Sequence, residues 1–141
     1  MKKILIFFVV IIAILCTIWY IYNIDKIKLQ EKNAYNKYLE SILNKEINGT
    51  DLASFINKSF NLNEKNEVLK DGNGIYIDNK KNSINIEIKF KDSNEIIQSE
   101  KIFANGMDKF VGLYGNCKFN LKKIEYNDKT KIIRYAYFEE V

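Results

Sequence analysis

From Ile4 to Tyr22 the chain runs through nineteen residues, ILIFFVVIIAILCTIWYIY, without a charge. A helix rises about 1.5 Å per residue, so the run extends about 28 Å, close to the hydrocarbon thickness of a bilayer. Trp19, Tyr20 and Tyr22 gather at one end, where aromatic rings favour the boundary between lipid and water. The expectation is a single transmembrane helix that stays attached to the rest of the chain. A cleaved secretory signal has a shorter apolar core and a small-residue cleavage site of the Ala-x-Ala kind, and neither is present. A lipoprotein signal needs a small residue before its cysteine, whereas Leu15 precedes Cys16 and the apolar run continues to Tyr22.

Orientation depends on the flanking lysines. Lys2 and Lys3 favour a cytoplasmic start, while Lys26, Lys28, Lys32 and Lys37 weigh on the other side. Two lysines leading directly into an apolar run read as a signal anchor, with residues 1–3 as a short cytoplasmic tail and the remainder outside the cytoplasm. Lys2 and Lys3 account for half of the net charge of +4, which leaves residues 23–141 at +2. That near-neutral balance does not suit a nucleic-acid partner, which selects for concentrated basic residues.

Beyond the span the chain offers room for one soluble domain. Asn, Lys and Ile are abundant, Arg occurs once at Arg134, and Pro and His are absent, a pattern that fits the codon bias of an AT-rich genome. Aromatic residues make up 13% of the chain and its apolar residues recur regularly, which argues for a folded domain. Residues 23–48 continue in helical register without Pro. Tyr35, Tyr38, Leu39, Ile42 and Leu43 repeat at three- and four-residue spacing and form an apolar stripe. This amphipathic stalk helix should end at Asn48-Gly49. Its stripe is a candidate surface for a protein partner or for self-association.

Residues 49–141 read as an α+β domain, a small antiparallel sheet packed with helices. Thr50 or Asp51 should cap a short second helix carrying Leu52, Phe55, Ile56 and Phe60, and Asn61–Asn73 should form a loop closing on the Asp71-Gly72-Asn73-Gly74 turn. Ile75–Ile77 reads as a short strand. In Ile84–Lys91 the residues Ile84, Ile86, Ile88 and Phe90 alternate with polar ones, the mark of a half-buried strand. A third helix is expected over Glu100–Tyr114, weakened by Gly106 and Gly112. A hairpin should close the domain: Cys117–Tyr126, a turn at Asn127–Thr130, and Lys131–Phe138. Phe119 and Leu121 differ in parity from Ile124 and Tyr126, so a bulge near Lys122-Lys123 is expected to return the latter pair to the core side.

The residues exclude much chemistry. Without histidine, catalysis by a Ser-His-Asp or Cys-His arrangement and His-ligated zinc are impossible within one chain. Cys16 lies in the apolar run and Cys117 in the domain, which excludes a bridge between them; Cys117 is expected to be buried and free. Gly72 and Gly74 lack the context of a phosphate loop, and the Asp71 turn lacks the later ligands of a calcium loop. No cofactor or metal is expected. Glu64 with Glu67, Glu95 with Glu100, and Glu139 with Glu140 are the carboxylate neighbours that a hydrolase would need, and such pairs are ordinary on solvated faces. Lys118, Lys122 and Lys123 with Phe119 and Tyr126 form the densest basic and aromatic group. It suits an anionic envelope polymer or lipid head group, or else a solvated strand whose aromatics turn inward.

A basic start, an apolar helix, an amphipathic continuation and a small sheet domain together resemble the layout of pilins and pseudopilins. The Gly-Phe-x-x-x-Glu peptidase site of that family is absent. INGTDLASFIN at residues 47–57 resembles a segment found after the anchor in small membrane proteins of Gram-positive bacteria, which implies location and no activity. The sequence therefore reads as a membrane-anchored extracytoplasmic interaction or assembly module and not an enzyme, with polymer binding as the alternative and a carboxylate hydrolase as a remote one. Carbonate extraction should leave the intact chain in the membrane pellet, and protease added to spheroplasts should digest residues beyond the span. Full-length chain in the soluble fraction would remove the anchor, and a protected domain would reverse the orientation.

Overall fold

Helix α1 spans Lys2–Ile42 and carries the apolar run. A computed structural model describes residues 2–141, with side chains for all of these except Lys2, Lys3, Leu5 and Lys32. The expected tail at residues 1–3 rests on Met1 and two of those side chains and lies outside what is described. The chain divides into two units, Met1–Lys37 and Tyr38–Val141, with the division inside α1. In the first unit the apolar side chains from Ile6 to Tyr22 are exposed, and α1 is long and apolar enough to cross a membrane. Two polar side chains of this helix turn back on it: Thr17 Oγ1 donates to the Ala13 carbonyl and Asn23 Nδ2 to the Trp19 carbonyl, each at 2.8 Å.

The second unit is α+β. After the last turn of α1 come β1 (Glu46–Asn48), α2 (Gly49–Lys65), β2 (Asn85–Lys89), β3 (Ile96–Gln98), α3 (Ser99–Asn105), α4 (Met107–Tyr114), β4 (Lys118–Tyr126) and β5 (Ile133–Glu140). The five strands form one sheet in the order β1-β4-β5-β2-β3. It is mixed, not antiparallel as expected, because β2 runs parallel to β5, with Asn85 opposite Tyr135 and Lys89 opposite Glu139. The remaining pairs are antiparallel. One face buries Ile86, Ile88, Phe119, Leu121, Ala136 and Phe138 beneath the helices.

The stripe meets this core at its lower end. Leu39 and Ile42 are buried, and the Tyr38 ring stacks on Phe55 of α2 at 4.8 Å between centroids although part of the ring remains exposed. These residues belong to the compact unit rather than to a separate stalk. Helix α1 stops at Ile42, earlier than the expected Asn48, because Asn44 adopts a left-handed conformation at φ 60°. The chain then supplies β1 along β4. Asn48 caps α2 in place of Thr50 or Asp51, and the Asp51 carboxylate accepts the Asn48 N–H at 3.4 Å.

Helix α2 continues through Asn61–Lys65, where a loop was expected. Its last buried turn carries Leu62 and Asn63. Asn63 holds β2 directly: its Nδ2 donates to the Ile84 carbonyl and its Oδ1 accepts the Ile84 N–H, both at 2.8 Å. A side-chain amide thus replaces a neighbouring strand where β2 begins. Ile75–Ile77 is not a strand; Tyr76 makes an isolated bridge with Lys70. The Asp71 turn forms as expected, with Asp71 Oδ1 accepting the N–H groups of Asn73 and Ile75. The third helix is broken at Gly106, whose φ of 99° suits glycine, into α3 and α4. The hairpin forms with β5 at Ile133–Glu140, two residues beyond the expected Lys131–Phe138. The ladder shifts between Leu121 and Lys123, and that bulge brings Ile124 opposite Ala136, but Tyr126, expected on the core side with it, is exposed after a second shift at Glu125.

The Asn63 clamp has a measurable consequence. Asn63→Leu leaves the N–H and C=O of Ile84 buried without partners, which should lower the unfolding free energy by about 2 to 4 kcal/mol. Asn61→Ala, on the exposed side of the same helix, should leave it within about 0.5 kcal/mol. Urea denaturation read by tyrosine circular dichroism distinguishes the two.

Candidate functional site

The loop that breaks α3 from α4 also opens a cleft. Phe90 comes directly after β2 on the buried face of the sheet, and Phe110 and Tyr114 lie one turn apart on α4. Phe90 contacts Tyr114 at 4.6 Å and Phe110 at 6.4 Å between ring centroids, and Phe119 of β4 meets Phe90 edge-on at 6.1 Å. Phe90, Phe110 and Tyr114 floor a cleft of about 540 Å³, walled by Ile97 of β3, Ile102 of α3 and Leu113 of α4. Asp92, Lys109 and Glu140 bring charge to it. Its size falls within the range of small-molecule and side-chain pockets.

Backbone contacts hold the helical wall. The N–H of Gly49 donates to the Cys117 carbonyl at 2.9 Å and that of Thr50 to the Gly115 carbonyl at 3.2 Å, so the start of α2 satisfies acceptors just past the end of α4. A Cβ on Gly49 would lie 1.9 Å from the Tyr114 carbonyl oxygen. Cys117 also lines the cleft. It is half-buried and free, less enclosed than expected. Its thiol donates to the Glu140 carboxylate, and this bond, with desolvation and the carboxylate charge, raises the thiol pKa above its usual value. Glu140 Oε2 also accepts the Lys91 N–H at 3.1 Å.

A second polar group lies between α2 and the loop after it. Glu64 accepts from the Tyr76 hydroxyl at 2.6 Å and from Lys70 at 2.7 Å, while the Lys70 ammonium sits 4.5 Å from the Phe60 ring centroid and 4.7 Å from that of Tyr76. The bonds to Lys70 and Tyr76 lower the pKa of Glu64. Glu100, in the first turn of α3, is buried, and desolvation raises its pKa against the pull of hydrogen bonds from the Ser99 hydroxyl and backbone N–H groups. Arg134 forms a third group by bridging Asp78 at 2.8 Å and Glu125 at 2.9 Å.

The sequence candidates fall in different places. Leu39 and Ile42 enter the core of the second unit, Tyr38 stacks on Phe55 while staying exposed, and Tyr35, which is buried, lies in the first. Lys118, Lys122 and Lys123 are exposed, but Lys118 donates to Asn48 Oδ1 at 2.7 Å. Lys123 pairs with Glu125 at 2.7 Å and lies over the Tyr135 ring. Phe119 turns inward, whereas Tyr126 stays outside and donates to Glu40 at 2.7 Å. The neighbouring carboxylates separate: Glu139 accepts from Tyr137 while Glu140 lines the cleft, and Glu100 is buried while Glu95 is exposed. The cleft was not foreseen, because its floor and walls come from short segments spread between Phe90 and Glu140. No family model, curated protein or solved structure matches this chain.

The Cys117 environment makes a kinetic prediction. On a Cys16→Ser background, maleimide labelling of Cys117 should be slow at pH 8 and rise steeply toward alkaline pH, since the raised pKa keeps the thiolate scarce. Glu140→Gln removes the opposing charge and should speed labelling severalfold at pH 8. Equal rates in the two proteins would mean that Glu140 does not govern the thiol.

Proposed function

We propose that this chain is a membrane-anchored extracytoplasmic interaction or assembly module without catalytic activity. The anchor is α1 over residues 4–22. Support comes from its uncharged length, from the exposure of its apolar side chains, and from the back-bonding of Thr17, since lipid demands that polar groups be satisfied within the helix. The observation that carries the interaction reading is the cleft, an aromatic-floored opening walled by apolar side chains. Among the described residues its one thiol is Cys117, hydrogen-bonded to the Glu140 carboxylate. Its thiol faces a carboxylate that opposes ionisation.

The carboxylates available for hydrolysis are spread among separate hydrogen-bond groups. Polymer binding through Lys118, Lys122 and Lys123 draws less support, because amide and carboxylate partners already occupy two of the three ammonium groups. A photo-crosslinking phenylalanine analogue placed at Leu113, on the exposed lip of the cleft, should give a discrete protein adduct in native membranes. The same analogue at Lys122 should give none. Adducts only from Lys122, or glycan and lipid adducts in place of protein, would favour the polymer reading.

A further inference from the structure

Strand β3 ends the sheet. Its residues pair with β2 on one side, Ile97 opposite Ile88 and Ile96 opposite Lys89. Among the described residues no other backbone bonds to Ile96, Ile97 or Gln98 from the far side. An open strand edge is a template for another strand, and proteins that avoid such pairing shorten the edge strand or place lysine, proline or a covering loop there. β3 is short, at three residues, but Ile-Ile-Gln carries no lysine or proline, and Ile96 is 53% exposed. The same strand walls the cleft through Ile97, so an unpaired edge and an apolar recess adjoin.

We propose that β3 and the cleft bind an extended peptide segment of a partner protein, which adds as a sixth strand and seats one large apolar side chain against Ile97, Phe110 and Leu113. This rests on the interaction reading above and gives its partner a chemical form. Backbone pairing to an edge supplies affinity without regard to sequence, and pockets for alternate side chains supply selectivity. A strand added beyond β3 lies about 4.8 Å away and points every second side chain toward the cleft side. On the β3 side the cleft carries Asp92, and Glu95 stands just before the strand, against one ammonium, Lys109. That balance selects basic residues two positions from the apolar anchor, on the same side of the strand.

The test uses the full chain in lipid nanodiscs and a fluorescent peptide, acetylated and amidated, of sequence Thr-Lys-Thr-Phe-Thr-Lys-Thr, with binding read by polarisation. The expected result is saturable binding, weakened about tenfold or more by replacing Phe with Ser, by replacing both Lys with Glu, or by Leu113→Asp in the protein. N-methylating one alternate set of peptide amides should abolish binding and methylating the other set should leave it, because only one set faces the edge. Indifference to both sets would overturn strand addition and leave a pocket for side chains alone. Absence of binding would overturn the proposal, while a surviving Leu113 crosslink to protein would keep the interaction reading. A dimer of the full chain, broken by Ile96→Lys and not competed by peptide, would give the edge to a second copy and also overturn it.

Discussion

The start of α2 is the junction on which the arrangement of the second unit depends. Gly49 meets the carbonyl end of α4 so closely that no side chain fits, and the N–H groups of Gly49 and Thr50 take the carbonyls of Cys117 and Gly115. One contact therefore fixes four elements at once. β1 leads into it, α2 leaves it, α4 ends at it, and β4 begins one turn later. Because α4 is pinned at this end, Phe110 and Tyr114 are held over Phe90, and the cleft keeps its floor. The segment INGTDLASFIN supplies this junction: Gly49 for close approach, Asp51 for the cap, and Leu52, Phe55 and Ile56 for the core.

Much of this was legible where one residue pattern decides one element. The alternation from Ile84 to Phe90 decides β2, and the parity change between Leu121 and Ile124 requires the bulge that the ladder contains. Legibility failed where partners distant in sequence decide. Three-residue strands such as β1 and β3 are too short to carry a period, and they exist because β4 and β2 offer them an edge. Helix α2 outran its expected end because Asn63, a residue that reads as loop, is bound to the backbone of Ile84 twenty-one positions away. Gly106 was visible as a weak point, but its left-handed φ, which divides α3 from α4, belongs to the packing.

Of the candidate surfaces, the stripe was legible as apolar, but its lower half turned out to serve the core. The basic group was legible as charge, and its neutralising partners were not, since Asn48 is seventy residues from Lys118. The sheet face away from the helices shows the same economy of charge. Tyr135 donates to Glu87 and Tyr137 to Glu139, at 2.7 and 2.8 Å. Burial and these carboxylates push the Tyr137 hydroxyl up to about 12. The single arginine holds two acids. With its acids held in this way, that face presents little net field.

The position of β5 bears on how the protein is made. It is the central strand, the link between the β1-β4 pair and the β2-β3 pair, and it comes after all of them in the chain. Until it emerges from the ribosome or the translocation channel, the two pairs have no common ladder, and β2 waits for a parallel partner fifty residues downstream. Contacts of such long sequence separation close slowly. The growing chain must therefore hold its apolar half-sheets unjoined during synthesis, with completion of the core deferred to the arrival of residues 133–140, and a tether in the membrane would keep that waiting chain away from others like it.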